Sequence, residues 1–370
     1  MIKVLILHTS VGHGIKITAQ NIYARLVKSG RFEARIEDFQ ELERGMFAMV
    51  LEKIYFFFTE TFPFIWGWVY SERVATFTIP LRPLISSFKY KRTLKLIEKF
   101  EPDIIISTET SPTGIVSYLK TRGLYSGKLV VAFSDYHLHR FWLYDEVDLY
   151  LCNIGEQAIE LKKLGVAPER LAVTGMIVSE KYLQKVSRED AAKKFALDSR
   201  KKAVLVSGGR RGLQASVQIV MDLLASPVPF QIAVVTGKNE ELKKQLEELK
   251  PTPEHDLKIL GYVTDQEVLM SAVDVLISKP GGPTIAEAVA KGLPIVVTDA
   301  HPGHETLNMK YLERHNIAFH GRNPAEVAKL VEMILRGEVK YDKAEAFEKI
   351  IKPKGSVSLT DALSRFNMNL

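Results

Sequence analysis

Glycines and hydrogen-bonding side chains follow a short apolar run in the second half of the chain. The segment Ser278-Lys279-Pro280-Gly281-Gly282-Pro283-Thr284 leads into a helical stretch that contains Glu287. Paired glycines at a helix start provide free backbone amides and the positive end of the helix dipole, which suit a diphosphate. Glu287 could then accept hydrogen bonds from ribose hydroxyls. Thr284 and Glu287 also have the spacing of a capping box, so both interpretations of this pair stay open.

A second polar segment, Asp299–Asn308, comes directly after the apolar run Ile295–Val297. Its histidine, glutamate and asparagine side chains could hold a polyol such as a sugar. A metal site on His301, His304 and Glu305 is the alternative, but their spacing matches no standard zinc pattern. We therefore predict that the chain uses no metal ion and no bound cofactor.

Two segments of the first half carry titratable groups. The turn Ser10–Gly14 contains His13 and leads from the first apolar run towards a helix. It is not a dinucleotide fingerprint, because Ile17 stands where the third small residue belongs. The segment Phe133–Trp142 places Asp135 beside two histidines after another apolar run. The backbone amides of the turn could approach an anion or a bulky ligand, and a purely structural turn is the alternative. Asp135 and the two histidines are candidates for acid–base chemistry, and structural histidines are the alternative.

Short apolar runs separated by helical stretches recur in both halves of the chain. Such runs predict parallel strands buried on both faces, and therefore an α/β protein with two doubly wound domains. We expect the domains to be residues 1–175, joined by a C-terminal helix at 355–370, and residues 176–354. Ligands bind beyond the carboxyl ends of such strands, and the cleft between two domains is the expected active site. The runs are Val4–Leu7, Ile104–Ile106, Val130–Phe133, Leu149–Leu151, Leu171–Val173, Val204–Val206, Ile232–Val235, Leu257–Leu260, Val275–Ile277 and Ile295–Val297.

Composition narrows the class of protein. With 370 residues, 46% of them hydrophobic and 25% charged, the chain is long enough for two cores. Its single cysteine, Cys152, rules out an intramolecular disulfide framework. Residues Met1–Leu7 are more typical of a strand than of a signal peptide, and Ile54–Tyr70 is too short and too interrupted to span a bilayer. We expect a cytoplasmic protein, peripheral on the inner face of the cell membrane.

The net charge of +6 could attract nucleic acid, phosphate-bearing ligands or an anionic membrane. The sequence contains no zinc-finger spacing, RNA-binding signature or long basic tail, so we expect no nucleic-acid partner. Segment 45–100 begins with aromatic residues and then becomes basic, which suits a membrane interface. Core aromatics and a solvated basic helix face are the alternative. The basic residues are Arg82, Lys89, Lys91, Arg92, Lys95 and Lys99.

Taken together, these motifs resemble the monogalactosyldiacylglycerol synthase and processive diacylglycerol glucosyltransferase family, relatives of the lipid-linked N-acetylglucosaminyltransferase of peptidoglycan synthesis. The resemblance covers nearly the whole chain. It is strongest from Leu260–Val263 through Lys279–Thr284 to Pro302–Glu305 and Asn308. It implies the GT-B fold, in which two Rossmann-like domains face a cleft.

The resemblance also implies a role for each residue of the donor site, with UDP-glucose or UDP-galactose as donor and a lipid as acceptor. By this resemblance, the diphosphate is bound by Gly281, Gly282 and Thr284, and the ribose by Glu287. The uracil is flanked by Gly261, Tyr262 and Val263, and Gly208 and Gly209 form the facing loop. The transferred sugar is contacted by His304 and Glu305, which Asn308 supports.

Three departures from the family pattern concern the catalytic base and the sugar. Ile15 stands where the family has a histidine that opens the first helix, and His13 lies inside the loop. Glu109 stands where histidine is frequent, and His304 replaces a glutamine. The candidate bases are His13, Glu109 and Asp135.

The implied function is inverting transfer of a hexose from a UDP-sugar to a lipid such as diacylglycerol at an anionic membrane surface. One alternative is another GT-B-type enzyme, such as a nucleotide-sugar epimerase. The other is a non-catalytic protein that binds lipid or nucleotide sugar.

Overall fold

The computed structural model describes residues 1–9, 13–42, 82–208, 212–213, 215–298, 300 and 303–366 of the chain. The aromatic part of segment 45–100, the turn residues 10–12, Gly209 and His301 therefore lie outside the described residues. The chain forms two compact units, one mainly of Met1–Ile177 and Lys349–Leu370, the other mainly of Val178–His301 and Glu305–Glu348. None of the helices described is long and apolar enough to cross a bilayer.

The first unit is built on a six-stranded sheet in which every pair of neighbours is parallel, in the order β2-β1-β3-β4-β5-β6. The chain adds β2 on one side of β1 and then returns to add β3 on the other, so the sheet is doubly wound. The strands are β1 Ile2–His8, β2 Phe32–Asp38, β3 Ile104–Ser107, β4 Lys128–Ala132, β5 Leu149–Cys152 and β6 Leu171–Val173.

The second unit repeats this plan with a parallel sheet in the order β12-β11-β10-β7-β8-β9. Here the direction of winding reverses between β7 and β10. The strands are β7 Ala203–Ser207, β8 Phe230–Val235, β9 His255–Leu260, β10 Val275–Ser278, β11 Ile295–Val297 and β12 Phe319–His320.

Helices connect the strands in both units. Those described are α1 His13–Ser29, α2 Phe39–Leu42, α3 Arg82–Phe100, α4 Thr110–Thr121, α5 Gly155–Lys163, α6 Glu180–Leu183, α7 Arg188–Lys194, α8 Ser216–Leu224, α9 Glu240–Glu247, α10 Gln266–Leu269, α11 Gly282–Ala290, α12 His304–Arg314, α13 Pro324–Leu335, α14 Lys343–Ile350 and α15 Leu359–Ser364. Alternation along β1 assigns its residues to opposite faces, so that Val4 and Ile6 share a core with α1 and α15, while Leu5 and Leu7 pack with α3 and α4.

The predicted α/β class with two doubly wound sheets is confirmed, and all ten predicted strands form. Two further strands, β2 and β12, were not predicted. Both are edge strands, and β2 alternates charged with apolar residues, with only Phe32 buried. A strand that is half-solvated lacks the continuous apolar run that marks a central parallel strand.

Candidate active site

Two of the predicted donor segments flank the point where winding of the second sheet reverses. Neighbouring strands β7 and β10 pair Ser207 with Ser278 at their carboxyl ends. Gly208 follows the first strand and Lys279 the second. In doubly wound sheets this switch point opens a crevice between the two following loops, where ligands bind.

Helix α11 begins at Gly282, one turn earlier than a capping box on Thr284 and Glu287 requires. Its N-cap is Gly281, which makes no side-chain capping bond. The capping-box interpretation was therefore wrong, because Thr284 is already the third helical residue. The Gly281 amide is also not free, since it donates to the Lys279 carbonyl over 2.9 Å. An anion would therefore meet the positive end of the helix, where Pro283 has no N–H to donate.

The backbone does not require a glycine at position 281. Its φ of −75° suits any residue, and a Cβ built there would meet no heavy atom within 4 Å. Gly208 differs, because a Cβ there would lie 2.2 Å from the backbone nitrogen of Leu213. Chain packing therefore explains Gly208, whereas the open space beside Gly281 is available to a ligand.

The polar side chains of α12 lie beside the same loop. Fully buried Asn308 donates its side-chain amide to the Pro280 carbonyl over 3.0 Å, which ties α12 to the loop before α11. His304 and Glu305 form the first turn of α12, where His304 is exposed and Glu305 half-buried. The contact joins Asn308 to the loop before α11, and its predicted support of His304 and Glu305 at the sugar stays a prediction.

The loop between β9 and α10 presents an exposed ring at the same sheet edge. The Tyr262 side chain is 58% exposed, with Lys238 Nζ 5.7 Å from its ring centroid. Gly261 and half-buried Val263 flank it. Gln266, at the start of α10, donates to Ser207 Oγ over 3.1 Å and so anchors this loop to β7.

Glu287 is held by a residue that the sequence did not point to. Its carboxylate accepts a hydrogen bond from the Tyr182 hydroxyl, on the short helix α6 that packs against α11. Burial, opposed by this hydrogen bond and reinforced by nearby Glu267, raises the pKa of Glu287 to about 8. Burial and the same carboxylate raise the pKa of Tyr182 well above its usual value.

In the first unit, the predicted bases differ in how far their side chains are already engaged. His13 is exposed and is the first residue of α1, so the prediction that it lies within the loop before the helix was wrong. Glu109 is the N-cap of α4: one carboxylate oxygen accepts from the Ser111 amide and the other from the Thr110 hydroxyl, each over 2.8 Å. The bond from Ser111 is the capping bond, and each carboxylate oxygen keeps a lone pair for a further donor.

Asp135 lies on a loop whose backbone is fixed by two buried amides. Its carbonyl accepts from Asn153 Nδ2 over 3.0 Å and from Gln157 Nε2 over 2.9 Å. The same amides also donate to the carbonyls of Phe133 and His137. The Asp135 side chain is half-buried and accepts from the Ser134 hydroxyl over 3.2 Å. No local pattern predicted this clamp, because it joins residues about 20 positions apart in the chain.

Residues 19–178 match the family described as monogalactosyldiacylglycerol (MGDG) synthase, and residues 203–359 match the glycosyltransferase family 28 C-terminal domain. A processive diacylglycerol beta-glucosyltransferase of Bacillus pumilus (strain SAFR-032) is 28% identical over 364 residues, covering 96% of this chain and 92% of that protein. A protein of the same name from Bacillus cereus (strain B4264) is 30% identical over 296 residues, covering 80% of this chain and 74% of that protein.

Among solved structures, MurG of Acinetobacter baumannii is similar in fold. Its TM-score is 0.62 with 12% sequence identity, and the alignment covers 100% of both chains. At that identity the likeness concerns the fold, and it confirms the predicted GT-B type.

Proposed function

Because the chain belongs to the glycosyltransferase family that includes monogalactosyldiacylglycerol synthases and processive diacylglycerol glucosyltransferases, we propose that it transfers a hexose from UDP-glucose or UDP-galactose to a diacylglycerol-type lipid. The glycosyltransferase class follows from the family. The donor, the acceptor and the stereochemistry belong to the proposal.

The donor site of the proposal is the carboxyl edge of the second sheet. The start of α11 supplies the positive end of a nine-residue helix and the Thr284 amide for the diphosphate. Glu287 accepts hydrogen bonds from the ribose, and the exposed Tyr262 ring offers a surface for the uracil. His304 and Glu305 reach the hydroxyls of the transferred sugar. The observation that carries this assignment is the open space beside Gly281, directly at the switch point.

The reaction of the proposal is a direct displacement at the anomeric carbon. The acceptor oxygen forms a bond to that carbon as its proton passes to a base of the first unit, and the bond to UDP breaks with its electron pair on the diphosphate. One displacement inverts the configuration. Helix-end amides stabilise the negative charge on the departing UDP, so no metal ion is needed for this step.

The membrane part of the proposal rests on α3. Its buried face packs in the core through Leu96 and Ile97, and Lys91, Lys95 and Lys99 lie exposed along the other side at a spacing of four residues. Residues four apart lie on one helix face, so these lysines form a basic stripe. Such a stripe attracts anionic lipid headgroups, and we propose that it holds the protein peripherally on the inner face of the cell membrane.

The test is incubation with radiolabelled UDP-glucose or UDP-galactose and diacylglycerol in anionic micelles, followed by chromatography of the lipid phase. Label in a glycolipid with one of the two donors supports the proposal and identifies the sugar. The anomeric proton coupling of the product then reports inversion. Absence of lipid label with both donors, while calorimetry still detects UDP binding, would contradict diacylglycerol as acceptor and favour a non-catalytic nucleotide-sugar binder.

A further inference from the structure

Two adjacent side chains at the end of β1 are buried without hydrogen-bond partners. His8 is 5% exposed and Thr9 4% exposed. In the part of the chain that the structure describes, His8 Nδ1 and Thr9 Oγ1 are two of only four buried side-chain atoms that lack a hydrogen bond. Buried polar groups in native proteins nearly always make hydrogen bonds. Two neighbouring unpaired groups therefore point to a partner that the chain itself does not supply.

His8 and Thr9 lie at the switch point of the first sheet. Winding reverses between β1 and β3, and the two strands end side by side, with the Thr108 amide donating to the Leu7 carbonyl over 3.1 Å. His8 and Thr9 are the next residues after Leu7. The crevice beyond the carboxyl ends at such a point is where a doubly wound sheet binds its ligand. His8 and Thr9 therefore occupy the position in the first unit that Ser207 and Gly208 occupy in the second.

The first turn of α1 lies next to the same strand ends. Side chains alternate along β1, so His8 shares the face of Val4 and Ile6, which packs against α1. Thr108, level with the end of β1, places its hydroxyl 3.4 Å from the Ile15 carbonyl in that turn. The imidazole of His8 is thus bordered by β3 and by the start of α1, at the edge of the sheet where an acceptor would enter.

We infer that His8 binds the attacking hydroxyl of the acceptor and is the catalytic base. This inference rests on the proposed function. The acceptor O–H gives its proton to Nδ1 of His8, its oxygen bonds to the anomeric carbon, and UDP leaves with the electron pair of the broken bond.

Two of the three predicted bases differ from His8 in their surroundings. Glu109 caps α4 with one carboxylate oxygen and accepts from the Thr110 hydroxyl with the other. His13 is exposed at the start of α1, where water would compete for its proton. His8 alone among the histidines of the first unit that the structure describes has a buried ring nitrogen with no partner.

The experiment compares His8→Gln with Asp135→Asn and His13→Gln in the full chain, using labelled UDP-sugar and diacylglycerol micelles. His8→Gln is expected to lower kcat by about 10²- to 10⁴-fold, the contribution of a general base, while the Kd for UDP stays unchanged.

A second acceptor separates a base from a structural residue. A diacylglycerol analogue with a thiol in place of the hydroxyl ionises far more readily and needs little help from a base. The loss caused by His8→Gln should then shrink to less than about 10-fold, whereas a distorted site would lose transfer to both acceptors alike. In addition, His8→Leu removes an unpaired buried polar group, so its melting temperature should match or exceed that of the wild type.

The outcomes distinguish this inference from the proposed function. A wild-type chain that glycosylates diacylglycerol while His8→Gln retains full turnover would overturn the role of His8 alone, and a large loss in Asp135→Asn or His13→Gln would name the base instead. Equal losses towards hydroxyl and thiol acceptors would also overturn it. A wild-type chain that transfers no sugar to either acceptor would overturn the proposed function, and the role of His8 with it.

Discussion

The side-chain amide of Gln157 donates to the backbone carbonyl of Asp135 over 2.9 Å, from a side chain that is only 1% exposed. The same amide nitrogen donates to the His137 carbonyl over 3.0 Å, and the amide oxygen accepts from the Asn153 N–H. One buried residue on α5 therefore fixes the loop that carries Asp135, without touching the Asp135 carboxylate.

Gln157→Glu keeps the shape of this side chain but points a carboxylate at two carbonyl oxygens. We expect it to lower the free energy of unfolding by about 1–3 kcal/mol, the usual result of leaving buried polar groups unsatisfied. Urea denaturation checks the loss. Gln20→Glu, an exposed position on α1, is the matched control and should change stability by less than about 0.5 kcal/mol. Equal stability of both variants would show that the clamp does not hold the loop.

Gly281→Ala tests whether the open space at the start of α11 belongs to the nucleotide. Because φ is −75° and a Cβ meets no atom within 4 Å, the melting temperature should not fall. The affinity for UDP measured by calorimetry should fall about 10-fold or more, since the methyl group keeps the diphosphate from the helix end. Gly155→Ala, at the start of α5 with equally open surroundings, is the control and should leave UDP binding unchanged. Unaltered UDP affinity in Gly281→Ala would place the diphosphate elsewhere.

The raised pKa of Glu287 makes both stability and nucleotide binding depend on pH. The folded chain holds a proton on Glu287 up to about pH 8, whereas the unfolded chain releases it near the ordinary value of 4.5. For this group, the free energy of unfolding is therefore largest below pH 4.5 and decreases as the pH rises through 8. Glu287→Gln removes that decrease. The melting temperature of the variant minus that of the wild type should therefore rise between pH 5 and 8 and stay constant at higher pH.

The same variant should weaken UDP binding about 10-fold above pH 8, because a carboxylate that accepts from ribose hydroxyls is replaced by a neutral amide. Calorimetry over a pH series measures the affinity for UDP. The control is Glu248→Gln, at an exposed position directly after α9. A melting-temperature difference that is flat across the series would mean that Glu287 is not protonated in the folded chain at neutral pH.

The sequence predicted the central strands because each is a continuous apolar run, and it predicted the donor segments because they follow those runs directly. It could not reveal contacts between distant residues. Tyr182 reaches Glu287 from a helix more than 100 residues earlier, and nothing in its neighbours marks it. Glu109 was a candidate base because it stands where the resembling family often has histidine, yet it is the N-cap of α4. Glutamate is an unusual N-cap residue, so its neighbours gave no sign of capping. His8 was not predicted as a site residue because it directly follows an apolar run, where a histidine of the core would also lie.

Chelation of divalent metals should leave turnover unchanged. The proposed reaction neutralises the departing UDP with the amides and dipole of α11, so a bound metal ion has no step to assist. Initial rates in the presence and absence of excess EDTA, after dialysis against the chelator, test this. A loss of activity that Mg²⁺ or Mn²⁺ restores would contradict the metal-free mechanism.

The basic stripe on α3 should determine binding to anionic membranes. Each exposed lysine near such a surface contributes about 1 kcal/mol, so replacing Lys91, Lys95 and Lys99 by alanine should weaken binding to phosphatidylglycerol vesicles on the order of 100-fold. The loss should shrink at high salt, where these charges are screened.

The matched control is Lys162 and Lys163, an exposed basic pair on α5, whose replacement by alanine should have little effect on vesicle binding. Because none of the three α3 lysines is buried, the melting temperature should stay the same. If both sets of variants bind vesicles equally well, α3 is a solvated helix face and the membrane contact lies on another part of the chain.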